Sequence, residues 1–456
     1  MLSFDGTLEE FVTKAVDDYK TSTDYSAMLE NEQYYMGNNP FLMSMSNRVN
    51  IEGTSIDLAP KIKIPSSHFR IIVDHIVGRI WDNPVQYGLN GENATVGTIL
   101  GSQFNRTVKS NATFSAIHKV SYAFYNMNHV QMFKATEFMP LYDENAGSMI
   151  AGIRFWQLDD KKPLNIQLYE IDGFTWWTKN PDSEDLTLLQ PKTPYVQTII
   201  RYPIGAGRTE IIADSNYPVL PIVPLYQNAL KTSELTLPIR SNINAYDAIK
   251  TGFVDEILRN KLLIWEITGH GGNPTQLKEM VDKFEALGIM ALRDEEAKVN
   301  AKINTIPHTT HTVALAEIED SIWRDAMITD AEKMTGSSMT QVAIQAATMR
   351  EMKKMSNVEA EAREFVRQLL FLAGVEPETI TFTHTTVSND LEITNRLMMW
   401  VSQGHIPPEE LVALEPLFAQ NGLAAQIKEA LLQQSIGMDE AALAAMVEAQ
   451  RQALEA

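Results

Sequence analysis

PIRSNINAYDAIKTGFVDEILRNK, residues 238–261, reads as one long helix. Pro238 stands where a helix tolerates proline, in its first turn, and no breaker follows until the glycines between 269 and 272. Ile239, Ile243, Tyr246, Ile249, Phe253 and Ile257 recur every three or four residues. At about 100° per residue they fall within an arc of roughly 120°. Asn242, Lys250, Asn260 and Lys261 interrupt that arc, so the helix is not written for a dry core. About 24 residues of helix span roughly 36 Å, long for a compact domain. A half-dry stripe on such a helix predicts packing against other subunits.

A second helix is predicted over 313–332, with Leu315, Ile318, Ile322 and Ala326 along its apolar side. It carries Glu317, Glu319, Asp320, Asp325, Asp330 and Glu332 against Arg324 alone. The intervening residues 262–312 read as a strand, a glycine turn, a helix over 274–287 and two short strands. A small α/β insertion thus sits between two helices able to pair antiparallel.

Upstream, residues 7–37 look helical and are closed by Gly37, and a loop with Asn38, Asn39 and Pro40 follows. Ser66 or Ser67 can cap a helix over about 68–81 that Asn83-Pro84 ends. Residues 95–127 read as two helices divided near Ser110 and Asn111. From His129 the pattern changes. HVQMFKATEF, MIAGIRFWQL, LNIQLYEI, FTWWTK, YVQTIIRYPI and RTEIIAD are rich in β-branched and aromatic residues, with turn residues between them. They predict an antiparallel sheet region reaching to about 212, with one more strand in PVLPIVPLYQN. Downstream, MTGSSMTQVA (334–343) is a small-residue loop running into a helix that continues to Gly374. TITFTHTTV is a further strand, and the acidic stretch from Asp390 ends in the helix former MDEAALAAMVEAQRQALEA.

The 456 residues suffice for two or three domains, and 44% hydrophobic with 21% charged residues is a globular composition. Cysteine is absent, which excludes disulfides, thiolate zinc sites and cysteine nucleophiles and is compatible with a reducing cytosol. The start MLSFDGTLEEFV lacks a secretory pattern, and no apolar run approaches the roughly 20 residues that cross a bilayer. A net charge of −20 argues against ordinary nucleic-acid binding, which wants a basic face. It fits either plain solubility or a lumen that repels DNA and lets it slide.

Catalytic chemistry finds little support. His308 and His311 form HTTH ahead of Glu317 and Glu319, yet the segment reads as strand or loop rather than a ligand-bearing helix. Gly269, Gly271 and Gly272 lack the GxxxxGK[ST] pattern of a phosphate cradle. Asp17-Asp18 and Asp159-Asp160 have no evident acid–base partner, and no GxSxG occurs. No catalytic residue, metal site or cofactor is predicted, and the chain is read as a non-enzyme.

Four segments carry a family resemblance: YYMGNNPFLM with KIPSSHFRIIVDHIVGRIWDNPV; LPIVPLYQN before INAYDAIKTGFVDEI; TGSSMTQVAIQAATMREMKKMSNVEAEAREFVRQLL; and EITNRLMMWVSQGHIPPEEL. In this order and spacing the chain resembles the portal proteins of tailed bacteriophages, of the long-tailed phage type. The family's Ser-Gly element is replaced here by Gly336-Ser337-Ser338.

The resemblance implies a mixed α+β, mainly helical, elongated fold of clip, stem, wing and crown, assembled as a ring of twelve copies at one capsid vertex. Residues 238–261 and 313–333 would be the stem, packing through Ile243, Ile249, Phe253, Ile257, Leu315, Ile318 and Ile322. Residues 262–312 would be the clip, with Trp265, Gly271, Lys278 and Arg293. Residues 1–237 with part of 334–388 would be the wing, and 389–456 the crown. The DNA-facing tunnel loop would run from 334 to about 347 and include Met334, Gly336, Ser337 and Ser338. Arg350, Lys353 and Lys354 just beyond it would touch phosphates, or else form a solvated face paired with Glu351 and Glu359. Met334, Met339, Met349, Met352 and Met355 read as core filling, or as a pliable lining. Implied partners are the terminase motor, head–tail connector, major capsid and scaffolding proteins, and the duplex in the channel. Implied locations are the virion, and the host cytoplasm during assembly. The alternative is another virion structural protein, such as a head–tail connector or scaffold-binding component; a hydrolase built on the sheet region is a distant third.

Overall fold

The computed structural model describes residues 6–45, 48–51, 54–57, 60, 62–127, 129–143, 145–183, 185–204, 207–259, 264–268, 298–302, 308–330, 341–383 and 399. The helix expected over 274–287, the 334–340 loop and the stretch from Asp390 onward (Met399 apart) lie outside the described residues, as do Gly271, Lys278, Arg293, Met334, Gly336, Ser337 and Ser338. The chain divides into two compact units. A sheet unit is drawn from Met1–Val12, Asp74–Thr232 and Met327–Ala456, and a helix unit from Thr13–Val73 and Ser233–Ala326.

In the sheet unit, β7 (Phe138–Tyr142), β8 (Met149–Trp156), β9 (Leu164–Glu170), β10 (Gly173–Lys179) and β11 (Thr187–Thr193) form an antiparallel meander in sequence order. Gly152 in β8 lies opposite Pro140 in β7. A Cβ at 152 would come within 2.1 Å of the Phe138 ring, so the missing side chain is what lets that fully buried ring lie on the strand. A second sheet has the order β14 (Ile222–Tyr226), β5 (Val120–Asn126), β6 (His129–Lys134), with α6 (Phe104–His118) packed on it. Phe124, Phe133, Phe138 and Tyr169 meet between these layers, with ring centroids 5.2 to 6.4 Å apart. A third sheet has the order β17 (Thr379–Thr381), β3 (Gln86–Leu89), β4 (Glu92–Thr95). Its hairpin turns on Asn90-Gly91, both at positive φ. The 32-residue helix α9 (Gln341–Leu372) packs along β14, burying Ala362, Phe365, Val366, Leu369 and Leu370, and stops at Gly374, φ 78°.

The reading of 95–127 as two helices is corrected on two counts. The break falls at Gly101 (φ 100°), after the one-turn helix α5 (Gly97–Leu100), and α6 then runs unbroken through Ser110 and Asn111. Asn111 is buried, and its carbonyl accepts the Ser121 hydroxyl at 2.8 Å. Lys119 at φ 83° then reverses the chain, so residues 120–126 are the central strand β5 rather than helix. Among the described residues helices are mixed with six sheets, so the fold is a mixed α and β one.

The helix unit contains α2 (Thr23–Tyr35), α3 (Pro40–Ser44), the hairpin β1 (Arg48–Ile51) with β2 (Thr54–Asp57), and the long α7 (Leu237–Arg259). It also holds the hairpin β15 (Ile264–Thr268) with β16 (Lys298–Lys302), and α8 (His308–Asp325). Helix α1 (Leu8–Lys20) and helix α4 (His68–Trp81) complete the described helices. The second predicted helix is displaced from its expected bounds. It starts at His308, not 313, and ends at Asp325, not 332, because Ala326 closes the last turn on Ile322 and Met327 takes a left-handed φ of 54°. HTTH is therefore a first helical turn rather than strand or loop.

Candidate functional site

Helices α7 and α8 lie antiparallel. At one end Asn242 Nδ2 donates to Asp325 Oδ2 at 2.9 Å. At the other, His311 Nε2 lies 3.2 Å from Glu256 Oε2, and the Phe253 ring packs on His308 and His311 at 5.7 and 5.0 Å. Between these ends, buried His68 stands edge-on to Tyr246 (4.6 Å) and Trp323 (5.8 Å), with Nε2 3.4 Å from Glu319. The histidines are thus packing residues of the helix pair. Among the described residues no group of His, Asp or Glu is arranged to hold a metal.

The buried line of α7 differs from a simple apolar stripe. Ile239 and Ile243 are buried, but the next two positions at steps of four are Asp247 and Thr251, both fully buried. Asp247 Oδ2 accepts from Asn39 Nδ2 at 2.7 Å, and its Oδ1 accepts from the Ser66 amide at 2.9 Å. Thr251 Oγ1 accepts from the Ile64 amide at 3.0 Å. Asn39 also caps α3, its Oδ1 taking the Leu42 amide at 3.2 Å. One turn earlier, Tyr34 donates to Asn244 at 2.9 Å. Arg240 bridges Glu30 at 3.2 Å and Asn31 at 3.0 Å. Three stretches far apart in sequence, around Tyr34–Asn39, Ile64–Ser66 and Arg240–Thr251, therefore converge on one helix face.

Of the residues assigned to stem packing, Ile243 and Ile322 are buried, while Ile249, Phe253, Leu315 and Ile318 are half-buried. Ile257 is 42% exposed, and Val313 on α8 is 57% exposed. Trp265 lies in β15, paired with Ala301. Acidic side chains on α8 reduce to Glu317, Glu319, Asp320 and Asp325 against Arg324, since Asp330 follows the helix and Glu332 lies outside the described residues.

Arg350 and Lys353 are exposed on α9, and Lys354 is half-buried. Met349 and Met352 are exposed beside them, and only Met355 of this run fills core; Met334 and Met339 lie outside the described residues.

Glu351, named above only as a partner for those cations, holds another position. Its side chain is 5% exposed; Oε1 lies 2.9 Å from His75 Nε2 and accepts from Arg79 Nε at 3.1 Å, while Oε2 accepts the Thr329 amide at 3.0 Å. Burial alone raises a carboxyl; here the hydrogen bonds from His75 and Thr329 outweigh it and hold Glu351 at about 2, below its ordinary 4.5. A depressed carboxyl stabilises the fold above its unfolded value and loses that contribution as pH falls through the folded one. Glu351→Gln is therefore expected to cost about 3 kcal/mol at pH 6, with the gap to wild type closing between pH 4.5 and 2 in urea unfolding. Glu359, the other suggested partner, pairs with Arg363.

Against known proteins, the chain matches the family described as "Phage portal protein, SPP1 Gp6-like" over residues 15–435. It belongs to that phage portal family. The portal match spans residues of both compact units, and makes the chain a viral structural protein of the portal kind. No curated protein matches it. Among solved structures, it is similar to a chain of "Virion of native gene transfer agent (GTA) particle", with 10% identity, TM-score 0.41, and coverage of 86% of this chain and 94% of that one. A chain of "Neck of empty GTA particle computed with C6 symmetry" gives 10% identity, TM-score 0.43 and the same coverages. Two of the segments that carry the portal resemblance, YYMGNNPFLM and KIPSSHFR, are the ones the Asp247 and Thr251 face of a third, INAYDAIKTGF, gathers. Sequence reading missed this link. The available signal was two polar residues falling on the buried line of a helix.

Proposed function

We propose that the chain forms a ring of twelve copies at one capsid vertex, the channel through which a terminase motor packages the genome and from which DNA is later ejected. In this reading α7 and α8 are the stem, 262–312 the clip that meets the motor and then the connector, 334 to about 347 the tunnel loop, and 389–456 the crown. The wing takes residues 1–237 and about 357–388. Assembly takes place in the host cytoplasm, with capsid and scaffolding proteins as partners.

The observation that supports it most is the helix pair in a chain of portal ancestry. Apolar side chains such as Ile257 and Val313 stay exposed on a pair that is otherwise joined end to end. A neighbouring copy would cover them. The acids of α8, repeated around a ring, would give the wall a negative field that repels phosphates at close range. Lys and Arg in their place would bind phosphate and retard sliding.

Arg350, Lys353 and Lys354 are the exceptions, cations placed just beyond the loop. Lys353→Glu with Lys354→Glu is expected to reduce packaged DNA severalfold while rings form normally, measured by nuclease-protected DNA per particle and native mass spectrometry. Unchanged packaging in rings of normal mass defeats the phosphate contact, and a mass far from twelve copies defeats the ring.

A further inference from the structure

We propose that Leu230 and Lys231 form a knob that seats on a second copy of the chain, in a cleft between the end of α9 and strand β3. The proposal rests on the reading that the chain assembles into a ring.

Strand β14 ends at Tyr226, and the chain then turns through residues 227–232. The turn is braced. The Gln227 amide donates to the Lys119 carbonyl at 3.1 Å, and the Lys231 amide to the Asn228 carbonyl at 2.9 Å. Asn228 Oδ1 accepts the Thr232 amide at 3.1 Å, while its Nδ2 donates to the Thr232 carbonyl at 3.0 Å. Lys231 takes a left-handed φ of 55°. Within this loop Leu230 is 85% exposed. A lone exposed leucine is ordinary. One carried on a cross-braced turn is not, since turns favour Gly, Asn, Asp, Ser and Pro. A braced anchor also loses little freedom on docking.

The cleft is built where α9 stops. Gly374 turns the chain at φ 78°, its amide donating to the Phe371 carbonyl and the Val375 amide to the Leu370 carbonyl, both at 2.9 Å. The Glu378 amide then donates to the Gly88 carbonyl at 2.9 Å and leads into β17 beside β3. Leu89, Phe371, Gly374, Val375 and Glu376 line a cleft of about 410 Å³ there, room for a leucine side chain and part of a neighbour. Phe371 is exposed, and Leu89 and Val375 are half-buried. The charges also correspond: exposed Lys231 adjoins the leucine, and exposed Glu376 adjoins Val375. Knob and cleft are different surfaces of the same sheet unit. Identical copies joined through two different surfaces associate head to tail, the arrangement that closes into rings.

The chain has no cysteine, so introduced thiols are the only ones a thiol reagent meets. Leu230→Cys with Val375→Cys in the full chain, treated with a short bis-maleimide, is expected to give a ladder of covalently joined subunits. Neither single variant is expected to do so. Leu230→Asp is expected to raise the concentration for half-assembly at least tenfold with unchanged circular dichroism. Leu158→Asp, at a leucine 86% exposed on another turn, is expected to leave assembly as it is. Joined subunits from either single cysteine variant overturn the proposal, as does equal weakening by Leu158→Asp or normal assembly of Leu230→Asp. Rings of normal mass without a ladder overturn the contact and leave the ring reading standing. A ladder without rings does the reverse, and the absence of both overturns both.

Discussion

Asp247→Ala is expected to destabilise the helix unit by about 3 kcal/mol, a large fraction of a typical domain's margin. Asp247 is fully buried, and both of its hydrogen-bond partners are donors, the Asn39 side-chain amide and the Ser66 backbone N–H. Removing the carboxylate strands both of them, at roughly 1–3 kcal/mol for each buried unsatisfied group. Asn39 cannot rescue itself by rotating its amide, because its Oδ1 already accepts the Leu42 amide and caps α3. For the same reason Asp247→Asn restores only part of the loss: whichever way the new amide turns, its NH2 faces a donor. The order wild type, then Asn, then Ala in urea unfolding midpoints checks the argument. An Asn variant as stable as wild type contradicts it.

Ile318→Asp is expected to abolish ring formation while leaving the chain folded. Ile318 is half-buried on α8, one turn from fully buried Ile322, so the single chain can turn a carboxylate there partly toward water. In a closed ring the same substitution recurs at every interface, as symmetry requires. Desolvating an unpaired carboxylate costs several kcal/mol each time. Size-exclusion chromatography with circular dichroism should show a folded species of single-chain mass. Rings of normal size from this variant mean that the stripe is not a packing surface. Ile322→Asp, by contrast, is expected to unfold the helix pair itself.

The parts of this chain that could be read from sequence are those whose periodicity answers to a local cause. Helix α4 appeared with its bounds because Ser66-Ser67 and Asn83-Pro84 punctuate it, and strands β6, β8, β9 and β10 because their β-branched and aromatic runs alternate with turn residues. Strand β5 was hidden. Its helical neighbour gives no proline or glycine warning, and the reversal is made by Lys119 in a left-handed conformation that the sequence does not advertise. Helix α8 was set too late for a related reason: His308–Thr312 has weak helical preference, and packing of both histidines on Phe253 decides the matter.

The candidate site divides along the same line. The apolar stripe of α7 was visible at Ile239 and Ile243, but Asp247 and Thr251 do their work through partners some 180 to 210 residues away. Glu351 was taken for a neighbour of Lys353 and Lys354 on their own helix, whereas its carboxylate reaches His75 and Arg79 on α4 and the Thr329 amide. Long-range polar contacts of this kind leave only one trace in a single sequence, a polar residue where the helical period asks for an apolar one.

Electron microscopy of purified, assembled particles viewed down their symmetry axis bears on the central claim most directly. Twelve copies around an open centre, with the acidic α7–α8 pairs standing about the opening, is the result expected. A compact particle with those helices enclosed in each subunit and no passage along the axis contradicts it.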